Sequence, residues 1–231
     1  VPIELAFKDH KIEAVIHLAT FYGQKQDYEN SIKTNIIFGL NLIFLSIKYK
    51  INIFINTDTF WNSKYMPESH LAEYVLTKKH FLEWLSLKAD SIKIANMKIH
   101  HAYGENDSDD KFSMWLFNQL NNGNKNIKLT SGIQLRDFIY IQDIITAYEV
   151  VMLNNQKFNS IQEFNVSTGN KHTVKEFCNV MGQEILKDSN KVNKVLLFGA
   201  KSDNPNEIMD VDNNNSPLLK LGWKPKFDLV N

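Results

Sequence analysis

The chain has 231 residues with 26 basic and 26 acidic side chains, and this zero net charge argues against a general affinity for nucleic acid or for an anionic membrane. Its 43% hydrophobic and 23% charged content is ordinary for a globular protein, and a chain of this length can bury roughly 70% of its unfolded surface. Cys178 is the single cysteine, so no internal disulfide can form and a reducing, cytoplasmic setting is the expectation. No basic stretch followed by an apolar run opens the sequence, and the apolar run from Ile36 to Ile47 is short and broken by Asn41, so no membrane span is expected.

In chain order, the run "AVIHLA" from Ala14 to Ala19 predicts a strand buried on both faces. A helix is predicted from about Ser31 to Tyr49, and a second buried strand at Ile51–Ile55 on its β-branched content. Leu71–Leu87 has helical spacing with Leu76, Phe81, Leu82 and Leu85 facing inward, and Ser91–Ile99 reads as a third strand interrupted by Asn96. Alternation of this kind predicts right-handed crossovers and a parallel sheet. Ligands then bind beyond the carboxyl ends of the strands, where Thr20, Thr57 and His101 fall. From Glu105 to Gly132 the chain turns polar, with one helix near Met114–Leu120 and a short strand near Ile127–Thr130. Phe138–Leu153 reads as strand, turn and helix. Glu163–Val166, Val174–Ile185, Val195–Phe198 and Ser216–Leu221 then alternate more loosely. The organisation expected is α/β: residues 1–104 with about 136–156 as a doubly wound dinucleotide-binding domain, and about 105–135 with 157–231 as a smaller interleaved lobe.

The glycine-rich turn that holds a pyrophosphate at the start of such a domain is absent from this sequence. A sheet begun at Ala14 would leave a long apolar edge, so the expectation is that the first units of the domain precede Val1.

Tyr74 and Lys78 stand four residues apart on the helix after the strand that ends in "NTDTF", and so share one helical face. An ammonium beside a phenol stabilises the phenolate and draws the tyrosine pKa down toward a range usable for proton transfer. With a threonine hydroxyl at the neighbouring strand end, the set suits a carbonyl or alcohol whose carbon exchanges hydride with a nicotinamide. A Tyr-x-x-x-Lys pair alone is expected about once by chance in a chain of this makeup; the strand end before it is what adds weight.

The ordered set "AVIHLA", Asn35, "INTDTFW", Tyr74-x-x-x-Lys78, "HAYGEND" and "LRDFIYIQD" resembles the extended short-chain dehydrogenase/reductase family, the NAD-dependent epimerases and dehydratases of nucleotide sugars. The resemblance implies a Rossmann-like fold, NAD or NADP as cofactor, a nucleotide-sugar substrate, and commonly a homodimer built on the two long helices. It implies Thr57, Tyr74 and Lys78 as the catalytic set. Leu18, Ala19 and Thr20 would line the cofactor, together with Asn35, Tyr74 and Lys78, and the substrate would meet Thr57, His101 and Arg136. No metal is implied. Arg136, the sole arginine, would grip the diphosphate bidentately, or else form an ion pair with Asp137 or Asp143. His17 is expected to be structural. Family dehydratases carry Thr-Asp-Glu at the strand end, whereas this chain has Thr57-Asp58-Thr59, which disfavours dehydration and resembles CDP-sugar reductases and epimerases of surface polysaccharide synthesis. A non-catalytic nucleotide-binding or scaffold protein of the same fold is the alternative.

Overall fold

The computed structural model describes residues 3–22, 27–62 and 71–229. They form two units: residues 1–99, 145–166 and 215–224 in unit 1, and residues 100–144, 167–214 and 225–231 in unit 2. Helix Ile141–Leu153 carries the chain from the second to the first.

Unit 1 is built on a parallel sheet in the order β1 (Ala14–His17), β2 (Ile53–Thr59), β3 (Lys93–Ile99), β8 (Ile161–Val166). β8 joins this sheet through Ile94↔Ile161 to Ile99↔Val166, whereas the loose alternation of its surroundings in the sequence suggested the smaller lobe. Ile53, Phe54, Ile55, Ile94, Ala95 and Met97 are all but inaccessible, as strands covered on both faces require.

Two helices of unit 1 position the site. The first runs from Tyr28 to Lys48 without a break, and its middle, Lys33–Phe38, is wound as a π-helix. At 21 residues it is long and apolar enough to cross a membrane by length and composition alone, a longer apolar helix than the sequence reading counted. That reading took only the apolar run and missed the preceding turn, which continues the helix. Its residues Leu42 and Ile43 pack in a core with Phe54, Phe81, Leu85 and Ile94, the role of a core helix. The second helix is Ala72–Ser86, burying Tyr74, Val75, Thr77, Lys78, Phe81 and Leu85. Leu76 was expected to face inward but is 38% exposed, because the inward stripe is centred on Tyr74, Lys78, Phe81 and Leu85 and Leu76 lies off it.

Gly39 lets the two helices approach. A Cβ there would lie 2.5 Å from Phe81 Cζ and 3.0 Å from His17 Cε1. Gly39 has a helical φ of −61°, so alanine would normally gain up to about 1 kcal/mol in helix propensity. Phe81 is fully buried and cannot swing into solvent, and forced overlap of this kind costs about 1–3 kcal/mol. Overlap wins: Gly39→Ala is expected to be net destabilising by about 1–2 kcal/mol, seen as a lower urea midpoint with unchanged slope.

In unit 2, β4 (His101–Tyr103) pairs with β7 (Phe138–Tyr140), β10 (Leu196–Leu197) with β5 (Ile127–Lys128), and β6 (Leu135–Arg136) with β9 (His172–Thr173). Its core gathers Leu116, Leu120, Ile127, Leu129, Cys178, Val192 and Leu196. Burial pushes the Cys178 thiol up to about 12, leaving it an inert apolar filler. Helix Val174–Leu186 opens on a capping box between Thr173 and Glu176, which satisfies two end donors at once.

Candidate active site

The site of unit 1 grows from the carboxyl end of β2. Thr57, Asp58 and Thr59 are its last three residues, and helix Ala72–Ser86 presents Tyr74 and Lys78 one turn apart, both buried. Lys78 Nζ donates to the Thr57 carbonyl at 2.8 Å and lies 5.9 Å from the Tyr74 ring centroid. Lys78 of the expected catalytic set therefore adjoins both Thr57 and Tyr74. Thr57 Oγ1 is hydrogen bonded to Tyr148 Oη at 2.7 Å.

The electrostatics differ from the expectation at Tyr74. Burial, then the phenol of Tyr22, push its pKa up, although Thr59 bonds its hydroxyl in the opposing sense. The reason is geometric: the Lys78 ammonium is directed to a carbonyl, and desolvation of a buried phenol outweighs it. Tyr74 is thus held as the protonated acid. Lys78 itself is lowered to about 8 by burial, with Asp58 opposing. Tyr22 covers the phenol, ring centroids 4.7 Å apart.

Asn35 sits in the π-wound turn and is fully buried. Its Oδ1 accepts from Phe21 N at 2.7 Å and Thr20 Oγ1 at 3.4 Å, and its Nδ2 donates to Phe21 O at 2.8 Å and Thr77 Oγ1 at 2.9 Å. All four bonds that an amide side chain offers thus tie the loop after β1 to the helix that carries Tyr74. π-turns recur at functional sites. Leu18 and Ala19, at the end of β1, are exposed.

Behind the site a polar row crosses the sheet at one register position, His17↔Asn56↔Asn96↔Glu163. Asn56 Nδ2 donates to Asn96 Oδ1 at 2.7 Å. Asn96 Nδ2 donates to Asp58 Oδ2 at 2.8 Å and to Glu163 Oε2 at 3.3 Å. Asn56 Oδ1 is therefore the end that meets His17 Nδ1 at 3.3 Å, which makes Nδ1 the protonated nitrogen. Asp58 also accepts from Thr59 N and Asn62 Nδ2, at 2.8 and 3.0 Å; burial raises its pKa and these donors oppose the rise. The row was visible in the sequence only as a polar residue interrupting the third strand. Tyr148 had no signal, being one aromatic in an apolar helical pattern.

In unit 2, Arg136 is 2% exposed. Its guanidinium donates to the Leu135 carbonyl at 2.7 Å, to the Ile208 carbonyl at 2.6 Å, and to the Glu207 carboxylate in an ion pair. The two acids weighed as its partners are engaged elsewhere. Asp137 accepts from Thr168 N, Thr168 Oγ1, Gly169 N and Asn213 Nδ2, and Asp143 accepts from Lys226 N and Phe227 N. Glu207 lies 71 residues from Arg136, in a polar loop that gave no local cue. His101 is on β4, its ring edge against Phe138. Burial, then the charge of Arg136, hold it well below the usual histidine range, so it is neutral.

Residues 2–167 match the NAD dependent epimerase/dehydratase family. The chain belongs to this family. It is 36% identical to a CDP-abequose synthase of Salmonella typhimurium (strain LT2), across 98% of this chain and 77% of that protein. A second CDP-abequose synthase, from Salmonella muenchen, is 30% identical across 94% of this chain and 73% of the relative. Among solved structures, a Thermus thermophilus UDP-glucose 4-epimerase in complex with NAD superposes with a TM-score of 0.76 at 18% identity, covering 98% of this chain and 76% of that one. The UDP-N-acetylglucosamine 4-epimerase of Methanobrevibacter ruminantium M1 gives 0.80 at 19%, covering 99% and 75%. The Rossmann-like α/β fold expected from the alternation of strands and helices is thereby established.

Proposed function

We propose that this epimerase/dehydratase family protein transfers hydride between a nicotinamide cofactor, NAD or NADP, and a nucleotide-linked hexose, acting in surface polysaccharide synthesis as a keto-sugar reductase or an epimerase. The observation that carries the reading is the convergence of Thr57, Tyr74 and Lys78 at the end of β2, fixed by the bond from Lys78 Nζ to the Thr57 carbonyl. The relatives named CDP-abequose synthase support a CDP-linked keto-deoxyhexose as the substrate class. A scaffold has no use for an ammonium and a phenol buried one turn apart, since burying an ammonium is costly even with the Thr57 carbonyl as its partner.

The residues present fit a nicotinamide cofactor. Lys78 Nζ has three donors and gives one to Thr57 O, leaving others for ribose hydroxyls, and the exposed Leu18 and Ala19 with Thr20 provide a surface at the strand end. The bound cofactor supplies or takes up the hydride. Tyr74, held protonated, gives its proton to the sugar oxygen as that oxygen gains charge. Thr57 Oγ1 donates to the same oxygen, and Asn35 shapes the loop rather than touching the cofactor. Arg136 takes the substrate diphosphate by exchanging the Glu207 carboxylate for a phosphate oxygen, and His101 offers a neutral contact nearby in β4. A homodimer through the Tyr28–Lys48 and Ala72–Ser86 helices and a cytoplasmic location complete the reading.

A screen of nucleotide sugars with NADH and NADPH, followed by nicotinamide absorbance, tests it. Consumption with a CDP-linked keto-deoxyhexose is the expected result, and no turnover with any nucleotide sugar would overturn it.

A further inference from the structure

We propose that Tyr148 is a positioning residue of this reaction: its phenol donates to Thr57 Oγ1 and so turns the threonine's own proton toward the substrate oxygen. The inference rests on Thr57 having the role assigned to it under the proposed function. The bond is short, 2.7 Å, and Tyr148 is 9% exposed on helix Ile141–Leu153. A phenol is a far stronger acid than an aliphatic alcohol, so of the two hydroxyls the phenol is the better donor. Burial strengthens the case by keeping Tyr148 protonated.

The consequence follows from counting. A threonine hydroxyl has one proton and two lone pairs. One lone pair receives Tyr148, which leaves the proton and the other lone pair. The backbone of the same residue is pinned by Lys78 at 2.8 Å, so Thr57 is held at its carbonyl by one side chain and at its hydroxyl by another. A freely rotating Thr57 would spend much of its time in rotamers with the proton misdirected, and preorganised donors are what lower a barrier. Local pattern assigns Tyr148 no such role, because nothing in an apolar helical stretch shows where a phenol ends.

The test is a double-mutant cycle on the full chain, using a CDP-linked keto-deoxyhexose and reduced nicotinamide. Tyr148→Phe keeps the ring and removes only the hydroxyl. Expected are a fall in kcat of about tenfold, roughly one well-placed hydrogen bond, and KM values within about twofold. In a Thr57→Val background, where there is no hydroxyl to orient, Tyr148→Phe should change nothing further. Equal losses in both backgrounds would mean that Tyr148 acts through packing and would overturn the proposal. Full activity of Tyr148→Phe beside a crippled Thr57→Val would also overturn it while leaving the assignment of Thr57 standing. If Thr57→Val alone is fully active, the assignment of Thr57 falls and this proposal with it. Thr57→Ser, which restores a hydroxyl, should recover both the activity and the sensitivity to Tyr148→Phe.

Discussion

Tyr74→Phe is expected to lower kcat by about 10³-fold, in the middle of the range for a lost general acid, while the protein stays folded and binds nicotinamide cofactor as before. The substitution removes one oxygen. The ring that remains keeps its contact with Tyr22 at 4.7 Å, its place in the buried stripe of the helix and its distance to Lys78. What is lost is the proton that burial holds ready on a phenol beside Lys78 and Thr59. Thr59, which bonds the same hydroxyl, loses a partner but is itself an uncharged alcohol and cannot replace the acid. The measurement is steady-state reduction of a CDP-linked keto-deoxyhexose, with cofactor binding by fluorescence as the control. Turnover within threefold of the parent would remove Tyr74 from the chemistry.

The second large effect is on stability in acid. His17 is buried and lowered to about 4, first by desolvation and then by the charge of Lys78. Its Nδ1 is committed to Asn56, and its Nε2 is buried with no hydrogen-bond partner among the described residues. A second proton would therefore sit at Nε2 facing no acceptor. In the unfolded chain the same imidazole titrates at about 6.5. Between these values the unfolded state binds a proton that the folded state does not, so stability falls as pH drops from about 6.5 to about 4. The full shift corresponds to about 3 kcal/mol. His17→Gln keeps a donor for Asn56 and has no proton to gain. Urea unfolding at pH 7 and pH 4 should show the loss on acidification to be about 3 kcal/mol smaller in the variant. Identical pH dependence in both proteins would show that His17 takes up its proton in the folded state.

Much of this arrangement could be read in the sequence, and the failures have physical causes. β-branched runs and helical spacing located the three strands and two helices around Thr57, Tyr74 and Lys78, because those residues lie within a few positions of strong local patterns. The partners Glu207, Tyr148 and Asn96 were out of reach. Each meets its site across 38 to 91 residues of chain, and nothing local distinguishes a tyrosine that ends on a catalytic threonine from one that fills a core. The lowered pKa expected for Tyr74 failed for a related reason. Spacing shows that an ammonium and a phenol share a face, but the direction of Nζ is set by a carbonyl on another element.

The Tyr28–Lys48 helix carries apolar residues on both sides, Leu42 and Ile43 within the core and others facing out. Its inward positions include Ser31, Asn35 and Ser46, whereas Tyr28, Ile32, Ile37 and Phe44 are 56, 46, 47 and 52% exposed. By hydropathy alone that helix looks membrane-like, because the count does not distinguish its buried apolar residues from its exposed ones. The outward set gives the isolated subunit a handling property. Four large apolar side chains in contact with water make a surface that self-associates as concentration rises. Charged replacements at Ile37 or Phe44 would therefore weaken self-association, the homodimer proposed through this helix included, without touching the buried Asn35.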